Sequence, residues 1–449
     1  MTANQTPTRE ILKLAWPGAV TLLLHNAFRI NDLFWVGQLG GEAAVVGQSA
    51  VSVAGMVTIL TFAFYEGIAT GLLALSGRAH GSRNPVRARR ALMLALAVGA
   101  VVSAFVAGVG LVGLPALTEV LIPGDGGGAE RAALSAYLAP IFAGSLLLCL
   151  APTVSHAFLA VRDTRTPLLL EILAIVLNTG LNAVLVLGLG PFPRLGIAGA
   201  GIATVASRLV TSSLGLVLLH LRLGRGGEPD RRSTARIVRV LLRVGAPVTA
   251  AIAIYSISYQ IVLATTFPAF GAVGRAAFGC GFTLEGLAFC MMWGLSLATG
   301  SLVANALGAG SPDRAEATIH ASVRIVLWLV IPLTAAFLLV PEQLAHLVTD
   351  DPAVQHEVGI YLRVLALSQF SVGLQGVWEN SLSSSGHSLP VFYSTTIWNV
   401  ARIPLCWILA IGAGLGLPGV WWAINLSSYG KAATAGWIVR RGTWKYAEV

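Results

Sequence analysis

Residues 67–88 read GIATGLLALSGRAHGSRNPVRA, and residues 294–315 read GLSLATGSLVANALGAGSPDRA. At a shift of 227 they align without a gap: Gly67 meets Gly294, Leu75 meets Leu302, Ala79 meets Ala306 and Gly81 meets Gly308. Pro85, Arg87 and Ala88 then meet Pro312, Arg314 and Ala315. Two further pairs recur at nearly the same spacing, LGIAG (195–199) with LGLPG (415–419) and Pro167 with Pro390. Each copy is an apolar run that ends in a polar turn closed by proline and arginine. The chain therefore reads as two related halves.

Composition says what the apolar runs are. Of 449 residues, 55% are apolar and 11% charged, with mean hydropathy +0.77, whereas a soluble domain carries about 25% charged residues. A water-soluble globule is excluded. A transmembrane helix needs about 20 apolar residues, so the chain holds enough for about a dozen.

Segments broken by Gly, Pro and charge give twelve spans, near 14–37, 45–77, 90–113, 132–160, 168–189, 197–222, 245–269, 276–307, 318–340, 354–383, 389–412 and 416–439. The fold class is thus an all-α polytopic membrane protein of two pseudo-symmetric six-helix bundles. The N-terminal bundle takes residues 1–222, a cytoplasmic linker 223–244 and the C-terminal bundle 245–449. The apolar run after the N-terminus has no small-residue cleavage site and continues past His25, Arg29 and Asp32, so it reads as the first span and not a signal peptide. The 50 glycines suit helices that pack closely in lipid. Cys149, Cys280, Cys290 and Cys406 all sit in apolar runs without metal-ligand spacing, which supports neither a disulfide framework nor a zinc site.

The net charge of +9 is distributed unevenly. Arg78, Arg83, Arg87, Arg89 and Arg90, then Arg162 and Arg165, fall in loops on the side shared with the N-terminus. So do Arg222, Arg225, Arg231, Arg232, Arg236, Arg239 and Arg243, and finally Arg440, Arg441 and Lys445. The opposite loops hold Glu119, Asp125, Glu130, Glu342, Asp350 and Asp351, with Arg131, Arg194, Arg275 and Arg363. The positive-inside rule puts both termini in the cytoplasm, and the expected location is the cytoplasmic (inner) membrane. Nucleic acid is not an expected partner; membrane lipid is. Six spans per half place both halves in the same sense, as in transporters built from parallel repeats that bind cargo between them.

Several motifs together resemble one family. NDLFWVGQLGGEA (31–43), SGRAHGSRN (76–84), VANALGAGSPDRA (303–315), AVRDTRTP (160–167), LGIAGAGIAT (195–204) and the closing RRGTWK (440–445) are similar to the pattern of multidrug and toxic compound extrusion (MATE) transporters. The resemblance covers nearly the whole chain. It implies a secondary antiporter that exports amphipathic organic cations in exchange for H⁺ or Na⁺ by alternating access, with no cofactor.

Ionisable groups inside the membrane normally face a cavity or pair with one another. Asp32 lies well along span one, where desolvation suits a carboxyl that takes up and releases a proton. The other reading is a fixed ion pair with Arg29, one turn earlier. On span five Glu171, Asn178 and Asn182 are spaced by seven and four and share a face. Asp32, Asn178, Asn182 and Thr204 fall at similar depth, so these oxygens can pass a proton or bind a cation; Asn and Thr as interhelical hydrogen-bond partners is the competing reading. The family resemblance puts its coupling aspartate at Asp32 and its Asn, carboxylate and Thr at Asn178, Asn182 and Thr204. The amide at 182 removes one negative charge and weakens a Na⁺ site, because hard cations favour carboxylates.

In the second half, the positions where many relatives carry acids are Tyr255 and Leu374. Glu66, Tyr255, Glu285, Trp293 and Glu379 are the candidates for lining a substrate cavity, with Glu285 resembling a span-eight glutamate of eukaryotic relatives. Phe28, Tyr65, Trp378 and Trp398 are further rings that suit cations or, equally, the interfacial belt. The eight scattered histidines and the isolated Asp350–Asp351 argue against an enzyme, and the sequence has no Walker motif to make ATP the driver. A channel would not require repeated halves. The nearest alternative is a flippase for a lipid-linked precursor, which the resemblance associates with a strongly basic cavity. Here the span basics (Arg29, Arg208, Arg324, Arg402) do not outnumber the acids, which favours a cationic cargo; the chain is expected to act as a monomer.

Overall fold

The shift of 227 returns as backbone geometry. The computed structural model describes residues 7–122, 128–222 and 232–447; Asp125 and the linker residues 223–231, with Arg225 and Arg231, lie outside the described residues. Every regular element among the described residues is helical. In chain order these are α1 (Pro7–Gly37), α2 (Gly41–Gly81), α3 (Pro85–Val112), α4 (Leu114–Leu121), α5 (Gly128–Ala143), α6 (Ser145–Ala160), α7 (Arg165–Leu187) and α8 (Ile197–Arg222). There follow α9 (Thr234–Thr265), α10 (Gly271–Gly308), α11 (Pro312–Leu339), α12 (Pro341–His346), α13 (Pro352–Ala366), α14 (Gln369–Ser384), α15 (Ser388–Trp407) and α16 (Leu417–Arg441). Residues 234–244, read from the sequence as linker, are the first turns of α9.

Nine of these helices are long and apolar enough to cross a membrane, and α5 with α6 and α13 with α14 add two bent spans. Helix α16 has 25 residues, about 37 Å at 1.5 Å per residue, which exceeds a hydrocarbon core of about 30 Å. Its Asn425, Ser427, Ser428 and Lys431 are buried inside the protein. The result is the twelve-span, all-α architecture that the sequence predicts. Helices α2 and α10, at 41 and 38 residues, are far longer than a crossing requires.

The repeated motif has a local cause in each copy. Arg83 and Gly310, at the same place in the repeat, take the left-handed conformation with φ of 54° and 70° and stop α2 and α10. Asn84 Oδ1 then accepts the Arg87 N–H at 3.0 Å, and Pro85 and Pro312 open α3 and α11. Proline fits there because its missing N–H would have no partner in the first turn.

Spans four and ten, read as continuous, are both broken. Helices α5 and α6 meet at 58° and α13 and α14 at 56°. At Gly144 the break has Pro140 four residues before it, and a Cβ at Gly144 would lie 2.5 Å from Val205. At the second break Ser368 Oγ donates to Leu365 O at 2.9 Å and Ser371 Oγ to Ser368 O at 2.7 Å. Such hydroxyl-to-backbone bonds bend helices. Hydropathy reports neither.

Two compact units result, one from Thr21–Thr249 and one from Ala250–Val449 with the described residues of Met1–Val20. The chain passes between them inside α1 and inside α9. In the C-terminal unit the start of α1 packs on α10, where a Cβ at Gly294 would come within 2.4 Å of Ala19 N. In the N-terminal unit the start of α9 packs on α2, where a Cβ at Gly245 would come within 2.4 Å of Gly67 O. Both are backbone-to-backbone contacts that only glycine permits. Val51, Leu134, Leu138 and Phe142 anchor the N-terminal core. The C-terminal unit has two cores, one around Phe267, Phe278, Tyr361 and Trp421 and one around Ile11, Leu302 and Trp444.

Candidate functional site

The N-terminal unit brings Asp32, Asn178, Asn182 and Thr204 into one buried cluster. Asp32, on α1, is 1% exposed. Its Oδ1 accepts from Asn182 Nδ2 at 2.8 Å, and its Oδ2 from the Tyr137 hydroxyl at 2.8 Å and Thr204 Oγ1 at 3.1 Å. Asn178 Nδ2 donates to Thr204 Oγ1 at 3.2 Å and so stands behind that donor. Arg29 is exposed, with its guanidinium against Gly55, and makes no ion pair with Asp32 among the described residues. The carboxylate is therefore met by three neutral donors and no cation. Asn182 Oδ1 is buried without a hydrogen-bond partner.

Two members were not anticipated. Tyr137 lies on α5, in the first arm of the broken span, where its sequence context shows only a lone hydroxyl in an apolar run. Asn31 donates to Asn178 Oδ1 at 2.7 Å and accepts from Thr179 Oγ1 at 3.2 Å. Adjacent helix positions point about 100° apart, so a single-face reading of α1 passes over Asn31.

A second polar layer lies seven residues back along α1 and α7 and four on along the antiparallel α8, about 6–10 Å away by helix rise. Arg208 forms a bidentate ion pair with Glu171, at 2.6 and 2.8 Å, with both side chains buried. His25 Nδ1 is 3.5 Å from Glu171 Oε1, and the Arg208 guanidinium lies 4.1 Å from the Phe28 ring centroid. Glu66 on α2 pairs with His156 Nε2 on α6 at 3.2 Å. Glu66 is thus bound to a buried partner, and Phe28 supports an arginine.

The C-terminal unit arranges its charges differently. Glu285 on α10 accepts from the Tyr361 hydroxyl at 2.7 Å and from Gln369 Nε2 at 3.5 Å. Tyr255 stands edge-on to Tyr259, with ring centroids 4.9 Å apart. Trp293 stacks on Phe289 at 5.2 Å, and Glu379 Oε1 is buried without a hydrogen-bond partner. Trp398 fills the space above Gly430 and Trp378 that above Gly436, so both serve packing. Two buried cations, Arg402 and Lys431, also face this region. The sequence reading passes over Lys431, a single cation within the last span.

Comparison with known proteins follows the same division. A family model described as MatE matches residues 17–184 and again residues 247–408. A protein of Shewanella oneidensis named "FAD transporter" is 28% identical over 422 residues, 92% of this chain and 89% of that one. One of Thermotoga maritima named "Probable multidrug resistance protein NorM" is 27% identical over 92% of this chain and 88% of its own length. The crystal structure of a MATE transporter in its bent conformation superposes with a TM-score of 0.87 at 20% identity, covering 98% of this chain and 96% of that one, which establishes the fold. A family match repeated in both halves, on a twelve-span bundle, means that this multi-pass membrane protein belongs to the MatE family, the multidrug and toxic compound extrusion transporters that its motifs resemble.

Proposed function

We propose that this chain is a proton-coupled efflux antiporter of the cytoplasmic membrane, with both termini inside. The observation that carries the reading is the Asp32 carboxylate, buried among three neutral donors without a counter-cation. An ionised group held that way in an apolar bundle is stable only while its donors keep their geometry. Proton occupancy of Asp32 is therefore linked to how α1, α5, α7 and α8 sit around it.

Asn182 suits this exchange better than an acid would. Its Nδ2 donates to the ionised carboxylate, and its unpartnered Oδ1 is an acceptor for the O–H of the protonated form once the amide turns over. Sodium is the poorer fit. Both Asp32 oxygens already accept from N–H and O–H groups, and the carboxylate that a hard cation would prefer at 182 is an amide.

Protonation from outside rearranges the helices around Asp32 and releases cargo outward, and loss of the proton inward resets the cycle, which is alternating access driven by differential binding. The names of the multidrug-resistance and FAD-transporting relatives support an amphipathic organic cargo. The acids within the spans (Asp32, Glu66, Glu171, Glu285 and Glu379) favour one with a cationic group. The chain moves this cargo as a monomer, without a cofactor and without catalysis.

Proteoliposomes loaded with a fluorescent amphipathic cation test the reading under an imposed pH or Na⁺ gradient. The pH gradient is expected to drive transport and Asp32→Asn to abolish it. Transport by Asp32→Asn at the wild-type rate, or transport driven by Na⁺ alone, overturns the assignment.

A further inference from the structure

Two buried cations of the C-terminal unit make no ion pair with an acid among the described residues. Arg402 on α15 is 1% exposed and Lys431 on α16 is 4% exposed. Arg402 Nε donates to Ser427 Oγ at 2.8 Å, one turn before Lys431 on α16, while its Nη1 is buried with no hydrogen-bond partner. Lys431 Nζ makes no hydrogen bond or ion pair among the described residues. It lies 5.4 Å from the centroid of the Tyr255 ring. The Arg402 guanidinium lies 4.7 Å from the Tyr259 centroid and 5.9 Å from that of the same Tyr255 ring.

The acids nearby do not answer these charges. Glu285 and Glu379 are within electrostatic reach of Lys431, but neither is within ion-pair distance of Lys431 or Arg402. Glu285 takes its hydrogen bonds from Tyr361 and Gln369. A tyrosine face repays part of the cost of a buried cation, and the rest normally comes from an anion. An unused guanidinium N–H beside an ammonium is the donor set that recognises phosphate or carboxylate.

We propose that Arg402 and Lys431, held over the half-buried Tyr255 and Tyr259 rings, form a subsite for an anionic phosphate or carboxylate group on an aromatic cargo. The proposal rests on the efflux reading above and deepens it, because a cargo that also carries a negative group is then preferred to one that does not. A zwitterionic amphipath satisfies both charges, and an aromatic anion satisfies this subsite alone. Glu379, whose field reaches Lys431, competes with the anion.

Equilibrium dialysis on the purified full chain, with no gradient imposed, tests the subsite. Flavin mononucleotide against riboflavin isolates the phosphate, since the two share one ring system. A carboxylated aromatic dye against its methyl ester isolates the carboxylate. In at least one pair the anion is expected to bind about tenfold or more tighter, as a charge-assisted hydrogen bond implies. Arg402→Gln and Lys431→Met are each expected to erase that preference, and Glu379→Gln to increase it. Should a neutral variant fail to fold, Arg402→Lys and Lys431→Arg keep the test open, since they must retain a reduced preference while the monodisperse elution profile is unchanged. Equal binding within both pairs, or a preference that survives both neutral variants, overturns the proposal. Repeating the dialysis with Asp32→Asn separates the two readings. Preserved anion preference alongside wild-type transport by that variant would remove the coupling assignment and leave the subsite, and the reverse pattern would remove the subsite alone.

Discussion

The two halves descend from one pattern yet treat buried charge in opposite ways. In the N-terminal unit the deeper acids are matched, Glu171 with Arg208 and Glu66 with His156, and a single carboxylate, Asp32, is left among neutral donors. In the C-terminal unit Glu285 is the group satisfied by neutral donors, while Arg402 and Lys431 stay unmatched over tyrosine rings. A buried ion pair is electrically closed and serves structure. A lone buried charge responds to whatever supplies its complement. A proton can complement Asp32, and an anionic group can complement the C-terminal cations. Duplication supplied one scaffold twice, and the placement of a few charges distinguishes the two copies.

The sharpest way to break the contrast is at the matched pair. Glu171→Gln strands Arg208 in the bundle and is expected to cost about 3–5 kcal/mol of stability, read as a lowered thermal midpoint in detergent. Replacing both partners, Glu171→Met with Arg208→Leu, should recover most of that loss. If the single and double variants are equally destabilised, the pair is not closed in the sense used here.

A smaller effect is expected at Tyr137, whose hydroxyl is one of three donors to Asp32. Tyr137→Phe removes a hydrogen bond to a charged group, worth about 1.5–3 kcal/mol. Transport driven by a pH gradient should slow while cargo binding at equilibrium is unchanged. Equal losses in both would assign Tyr137 to packing.

Asn182→Asp sharpens the contrast from the other side. A second carboxylate beside Asp32 supplies the negative oxygen that a hard cation needs, so the variant's efflux should depend more strongly on Na⁺ than that of the parent. Unchanged ion dependence would show that the amide at 182 does not select the coupling ion.

The smallest effect is expected at the polar edge of the C-terminal unit. Lys445 Nζ donates to Glu316 Oε2 at 2.7 Å, and this hydrogen bond holds the Lys445 ammonium above its ordinary range. The contribution is complete between the ordinary glutamate and lysine ranges, and is lost as pH rises through the raised Lys445 value or falls through the lowered Glu316 value. Lys445→Met should cost about 0–1 kcal/mol near neutral pH, as exposed pairs do. A larger loss in a thermal scan would mean that Lys445 anchors more of the chain's end than this one contact.

Sequence alone determined the membrane setting, the span order and the duplication, because apolar runs and a turn motif are local and survive as a pattern along the chain. It also marked Asp32, Asn178, Asn182 and Thr204 as candidates, since helical spacing and a common depth show which polar side chains lie at one level. Only the tertiary structure decided which charges are answered. That Arg208 closes on Glu171, that Tyr137 reaches Asp32 from the first arm of a bent span, and that Lys431 faces a tyrosine ring instead of Glu379 all depend on how helices pack. Glycines 227 residues apart let α1 and α9 each join the opposite half's unit, a contact between backbones that leaves no trace in hydropathy. Pairing is a property of distance between helices, and no spacing along one helix encodes it.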